Sequence, residues 1–151
     1  MSGAPAKMAA SVTLPGDHGE LPRLQAFAGE FARGCGLPED ERARLLIILE
    51  ELFTNVVAHG QRAEAATSIV TVRLRSKDGW LVIDFVDDGR PFDPLTLGSP
   101  DLDAPVEERL IGGLGIHIVR SLVDHARYRR ASQRNHLHLA RRIRLISAVD
   151  G

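Results

Sequence analysis

The fold class follows from residues 67–87, TSIVTVRLRSKDGWLVIDFVD. Two runs of alternating, branched-apolar character flank Lys77-Asp78-Gly79, and an Asp-Gly pair supplies the turn chemistry of a tight β-hairpin. Strands joined by a hairpin are antiparallel neighbours, so the sheet that contains them is not built from βαβ units.

On the N-terminal side, SVTLPG (11–16) alternates and is expected as an edge strand. Asp17 is placed to cap a helix through LPRLQAFAGEFARGCG, closed by Gly34 and Gly36. LPEDERARLLIILEELFTNVVAHG (37–60) carries the strongest helical pattern: Pro38 suits a first turn, acids follow it and Gly60 ends it. On the C-terminal side, residues 89–113 are rich in Gly, Pro and Asp without a period, as in a long functional loop. A helix then runs to about Asp124, followed by strands in ARYRRAS and NHLHLARRIRLI. In the second of these, Leu137, Leu139, Ile143 and Leu145 share one face, and His136, His138, Arg142 and Arg144 the other. The order β-α-α-β-β-loop-α-β-β predicts an α+β two-layer sandwich, a mostly antiparallel mixed sheet with its helices on one face. Residues 1–10 are expected as a flexible tail and 11–147 as a single domain.

With 151 residues, 44% of them apolar, the chain can bury one core. It has no uncharged apolar run of membrane-spanning length, and MSGAPAKMAASVTLPG lacks the apolar centre of a signal peptide, so a cytoplasmic protein is expected. Cys35, the single cysteine, falls in an amphipathic helix, where a small buried apolar residue is expected. A net charge of −1 argues against a generally nucleic-acid-seeking protein. Charge is uneven, however: from Arg120 to Arg144 there are eight arginines against one acid, Asp124. That basic segment is either a solvated strand face or a docking surface for an acidic partner.

Three features carry chemistry. The glycines of LIGGLGIHIV (110–119) open a helix. A Rossmann fingerprint is excluded because no strand precedes them and Ile118 stands where the third glycine belongs; a Walker A loop is excluded because the chain has no Gly-Lys pair. What remains is either an anion site of bare amides at a helix N-terminus, or glycines that permit close packing or a hinge. In the long helix, Leu45, Ile48, Leu49, Leu52, Phe53 and Val56 cover one arc, and Glu51 and Asn55 lie together just beyond one border of it. Two hard oxygens there suit magnesium completed by water and phosphates; they also suit an ordinary solvated flank. In WLVIDFVDDGRPFDP (80–94), Asp87 has the inward parity of Leu81, Ile83 and Phe85. It either meets a donor such as an adenine amine, with Gly89 allowing a ring to approach, or caps a turn.

Taken together, Glu51-Leu-Phe-Thr-Asn55, Asp87-Asp-Gly89-Arg-Pro91-Phe92-Asp93 and Gly113-Leu114-Gly115-Ile116-His-Ile-Val119 resemble the N, G1 and G2 boxes of the GHKL ATP-binding superfamily, in order. DDGRPFDP and GGLGIHIVRSLVD resemble, in particular, the bacterial anti-sigma-factor serine/threonine kinases (RsbW-like), across roughly residues 10–146. The resemblance implies ATP and magnesium as cofactors, with Asn55 as magnesium ligand and Glu51 as the carboxylate that orients or deprotonates the attacking hydroxyl. It implies Asp87 on the adenine amine, Gly89 beneath the ring with Pro91 and Phe92 beside it, and Gly113, Leu114, Gly115 and Ile116 in the lid and phosphate-binding helix. His59 would lie near the phosphates, and Arg109 is a candidate phosphate contact. The implied partners are a sigma factor, an anti-anti-sigma factor that accepts the phosphoryl group, and a second copy of the chain, with no direct nucleic acid and no membrane. The alternative is a non-catalytic nucleotide-binding module that sequesters a partner. A metal site at His136 and His138 lacks a third ligand, and a Ser-His-Asp hydrolase lacks its Gly-x-Ser-x-Gly elbow.

Overall fold

The computed structural model describes residues 8–59, 67–96 and 114–143. Strand β1 (Met8–Pro15) is followed by helix α1 (Leu21–Cys35), helix α2 (Glu39–His59), the hairpin β2 (Ile69–Lys77) and β3 (Trp80–Asp87), helix α3 (Leu114–Leu122), and the hairpin β4 (His125–Ala131) and β5 (Arg134–Arg142). The sheet order is β1-β2-β3-β5-β4 and every pairing is antiparallel, which goes further than the mostly antiparallel sheet expected. β5 therefore enters beside β3, and β4 becomes an edge.

Local chemistry accounts for the element ends. Asp78 and Gly79 have φ of 54° and 82°, the doubly positive turn that matches strand twist. The β4–β5 turn repeats this geometry at Ser132 and Gln133, φ 52° and 61°, without a glycine. Gly36, φ 72°, ends α1 with its N–H on the carbonyls of Ala32 and Arg33. Gly34, expected to help end α1, instead makes room for Met8: a Cβ there would meet the Met8 sulfur and methyl. Met8 thus docks β1 on α1, and residues 8–10, expected in the tail, are strand. Asp17 precedes a short 3-10 turn, His18–Glu20, rather than α1 itself, and its side chain caps nothing. Gly60 and Leu145 lie outside the described residues.

One side of the sheet is buried under the helices. Leu45, Ile48, Leu49 and Phe53 of α2 are fully buried against Val70, Val72, Leu74, Leu81, Ile83 and Leu139, and Cys35 is buried with them. The α2 arc expected from its 3.6-residue period is the one that packs. Burying each such side chain contributes about 2 kcal/mol.

Arg141 ties the layers together. It has the inward parity of Leu139 and Ile143, and its Nε and Nη2 donate to Glu41 at 2.8 and 3.0 Å while Nη1 donates to the Leu122 carbonyl at 2.7 Å. One side chain thereby joins the start of α2, the end of α3 and β5. Arg141→Met is expected to lower stability by about 3 kcal/mol in a urea titration, because Glu41 loses its bidentate partner in a buried position. An unchanged midpoint would mean that Arg44, 3.4 Å from Glu41, compensates fully.

Candidate functional site

The candidate residues gather at one end of the helix-covered side of the sheet. Asp87 ends β3 on the buried face, where antiparallel register sets it opposite Asn135 of β5. Its Oδ2 accepts hydrogen bonds from the Gly89 N–H and from Asn135 Nδ2, both at 3.0 Å. Its Oδ1 accepts none from the described residues. Asp87 thus does cap the turn before Gly89, using one oxygen. Burial pushes its carboxyl above the usual value, against the opposing pull of Asn135, the Gly89 amide and the Arg130 charge.

The loop after β3 is shaped by side chains that the sequence reading did not single out. Asn135 donates to the Arg90 carbonyl at 2.7 Å and accepts from the Phe92 N–H at 3.2 Å and from the Tyr128 hydroxyl. Arg130 donates to the Gly89 carbonyl at 2.8 Å. Every hydrogen-bonding direction of the buried Asn135 amide is used, so residues 89–92 are held from below by β4 and β5. A signal existed for Asn135: it shares the inward parity of Leu137 and Leu139, as Asp87 shares that of Phe85. Arg130 and Tyr128 carried none, because only the β4–β5 pairing brings them there.

Farther along, Asp93 caps the 3-10 turn Pro94–Thr96 through the Leu95 N–H at 2.8 Å, and Arg120 of α3 holds the Leu95 carbonyl at 3.0 Å. The Phe92 ring stacks on the ring of His59, 5.1 Å between centroids and 19° between planes. The last turn of α2 is thereby fixed to the loop that follows β3. His59 is exposed, Phe92 is half-buried, and Pro91 is exposed.

α3 closes the arrangement. Gly115 faces Glu51: a Cβ on Gly115 would overlap Glu51 Oε2 and stand 3.1 Å from its carboxyl carbon. The glycine therefore serves close approach, and what approaches is a half-buried carboxylate at the first turn of a helix, where the backbone N–H groups are unpaired and the dipole is positive. Asn55, also half-buried, follows Glu51 by one turn of α2. Ile116 is buried in the core, so only its backbone is available to a ligand, and Leu114 begins α3. Gly113 and Arg109 lie outside the described residues. Glu51 and Asn55 offer two hard oxygens, and the described residues contain no group of three or more His, Cys, Asp or Glu able to hold a metal. A cation here would complete its shell from water and ligand oxygens, as magnesium does. His138 is bound through Nδ1 to Asp84 at 2.6 Å on the other side of the sheet. No helix of the described residues is long and apolar enough to cross a membrane.

Comparison with known proteins identifies the family and the fold. Residues 14–141 match the family described as histidine kinase-like ATPase domain. The chain is 31% identical over 98 residues to serine-protein kinase RsbW of Bacillus licheniformis, a match that covers 62% of this chain and 61% of that protein. Among solved structures, that of the RsbU and RsbW domains of Rv1364c from Mycobacterium tuberculosis superposes with a TM-score of 0.63 over 92% of this chain and 34% of that one, at 17% identity. The fold is shared, and the resemblance read from the three boxes is borne out.

Proposed function

Because this chain belongs to the histidine kinase-like ATPase domain family, which implies ATP binding, we propose that it transfers the γ-phosphoryl group of ATP to a serine or threonine of an anti-anti-sigma partner and otherwise sequesters a sigma factor. The observation that carries the nucleotide part is Asp87: a buried carboxylate with Oδ2 held by two donors and Oδ1 left for a third. An adenine amine supplies that donor, and the Gly89 backbone beside it leaves room for the ring. The likeness to RsbW supports the transferase part.

The chemistry assigned to the chain is positioning and proton transfer. Backbone amides at the start of α3 hold phosphate oxygens. Glu51 accepts the proton of the acceptor hydroxyl as its oxygen bonds to the γ-phosphorus, while the bond to the bridging oxygen breaks and ADP leaves. Asn55 would hold magnesium, which would neutralise charge on the transferred group. Phe92 and His59 brace the loop around the base.

A thermal-shift titration tests the reading, since a ligand of the folded state raises Tm by mass action. ATP with magnesium is expected to raise Tm, and Asn55→Ala to remove the magnesium-dependent part. No shift with ATP or ADP at saturating concentration would sink the nucleotide site. A shift without transfer from labelled ATP to a cognate acceptor would leave the non-catalytic binding module.

Gly115→Ala gives an independent check on the apposition with Glu51. The added methyl meets the flexible end of Glu51, so the fold is expected to stay within about 1 kcal/mol of wild type. The displaced carboxylate is expected to lower transfer by about 100-fold, as misplaced catalytic groups do. Wild-type transfer in this variant would show that Glu51 works from another position.

A further inference from the structure

The face of the sheet turned away from the helices is left uncovered by the described residues, and it is basic. Antiparallel register places Ser11, Arg73, Asp84, His138 and Arg127 in one cross-strand row and Thr13, Thr71, Val86, His136 and Arg129 in the next. Arg134 has the same parity as His136 and extends the second row's groove, which also contains Ile69 and Asp88. Arg73, Arg127, Arg129 and Arg134 are exposed. Arg75 is shared with Asp84 at 3.6 Å, and Asp84 is already bound to His138. The central acid is therefore committed, and the four exposed arginines are not paired with it.

Cost and composition both favour a protein partner. Four guanidinium groups held on a rigid sheet repel one another, and each presents a planar fork that matches a carboxylate in two parallel hydrogen bonds. The same face carries apolar and aromatic surface: Ile69, in the groove with Arg129 and Arg134, is 43% exposed, and toward the other end of the strands Trp80 carries the Arg142 guanidinium 5.4 Å over its ring. Arginine and tryptophan beside apolar area is the make-up of a protein interface.

We propose that this open sheet face docks an acidic protein surface, with Arg73, Arg127, Arg129 and Arg134 as the carboxylate-binding positions. The nucleotide residues lie on the opposite, helix-covered side, so a partner held here leaves that pocket accessible. The surface stands independently of what the pocket binds.

The probe is a fluorescent peptide rich in aspartate and glutamate, titrated into the full chain, with single-stranded DNA and RNA oligonucleotides of matched charge as competitors. Arg127→Glu with Arg129→Glu is expected to weaken peptide binding about 10-fold or more, with a shallower salt dependence. Arg33→Glu with Arg42→Glu, which makes the same charge change on exposed positions of the helical layer, is expected to alter it less than about twofold. Arg129→Gln, which removes charge without reversing it, is expected to fall between, and circular dichroism establishes that each variant is folded. Amide chemical-shift changes are expected in β4 and β5. Equal loss in the two double variants would mean that only net charge matters and would overturn the proposal. So would shift changes confined to α1 and α2, or tighter binding of either oligonucleotide than of the peptide.

Discussion

Glu51→Gln is expected to slow phosphoryl transfer by about 100- to 10,000-fold, the range over which a general base contributes, while ATP affinity changes little. Glutamine keeps the shape and the contact with Gly115 but cannot take the proton of the attacking hydroxyl. Replacing the carboxylate also removes a negative charge from the α3 N-terminus, an effect of at most about 1 kcal/mol on stability, so a folded variant is expected. Single-turnover transfer from labelled ATP, measured beside a thermal shift with ATP, separates the two effects. Transfer within threefold of wild type would remove Glu51 as the base. Loss of the thermal shift would instead place the carboxylate in binding.

Asp87→Asn is expected to weaken ATP binding by about 100-fold or more. The variant amide can still accept from the Gly89 N–H and Asn135 with its oxygen, which turns its NH2 to the position of the free Oδ1. A donor then faces the donor of the adenine amine, and a hydrogen bond to a charged group, worth about 1.5–3 kcal/mol, becomes an unpaired contact. The same substitution has the opposite consequence for the chain without nucleotide. Burial raises the Asp87 pKa above 3.8, so the folded state holds this proton more tightly than the unfolded state. Between the two pKa values stability therefore falls as pH rises, and at neutral pH the ionised carboxylate costs stability. Apo Asp87→Asn is expected to melt above wild type at neutral pH, with the gap narrowing as pH falls through the folded pKa. Circular dichroism melts across that acidic range measure the gap. A variant that melts lower at neutral pH, or one that binds ATP normally, would contradict this account of Asp87. A carboxylate retained at such a cost is what a binding group requires, because function commonly opposes stability at sites.

Much of this site was legible because its determinants are local. The inward parity of Asp87 follows from Leu81, Ile83 and Phe85 alone, and one turn of α2 puts Asn55 beside Glu51 whatever surrounds the helix. The same rule applied to β5 would have drawn out Asn135 and Arg141, the two inward polar residues among Leu137, Leu139 and Ile143. Alternation says that such a residue points into the core; it does not say what it meets there.

Period, turn chemistry and motif spacing act over a few residues each, so the hairpin, the apolar arc of α2, the α+β class and the three boxes are contained in short windows of sequence. The packed fold alone sets β5 between β3 and β4, which brings Asn135 to Asp87 across 48 positions of chain. It also decided that Gly115 meets Glu51, that Phe92 stacks on His59, and that Arg73 shares an open face with Arg127 and Arg129. Those contacts depend on sheet order and on helix packing, which are fixed by burying whole faces together, and no short window of sequence contains that free energy.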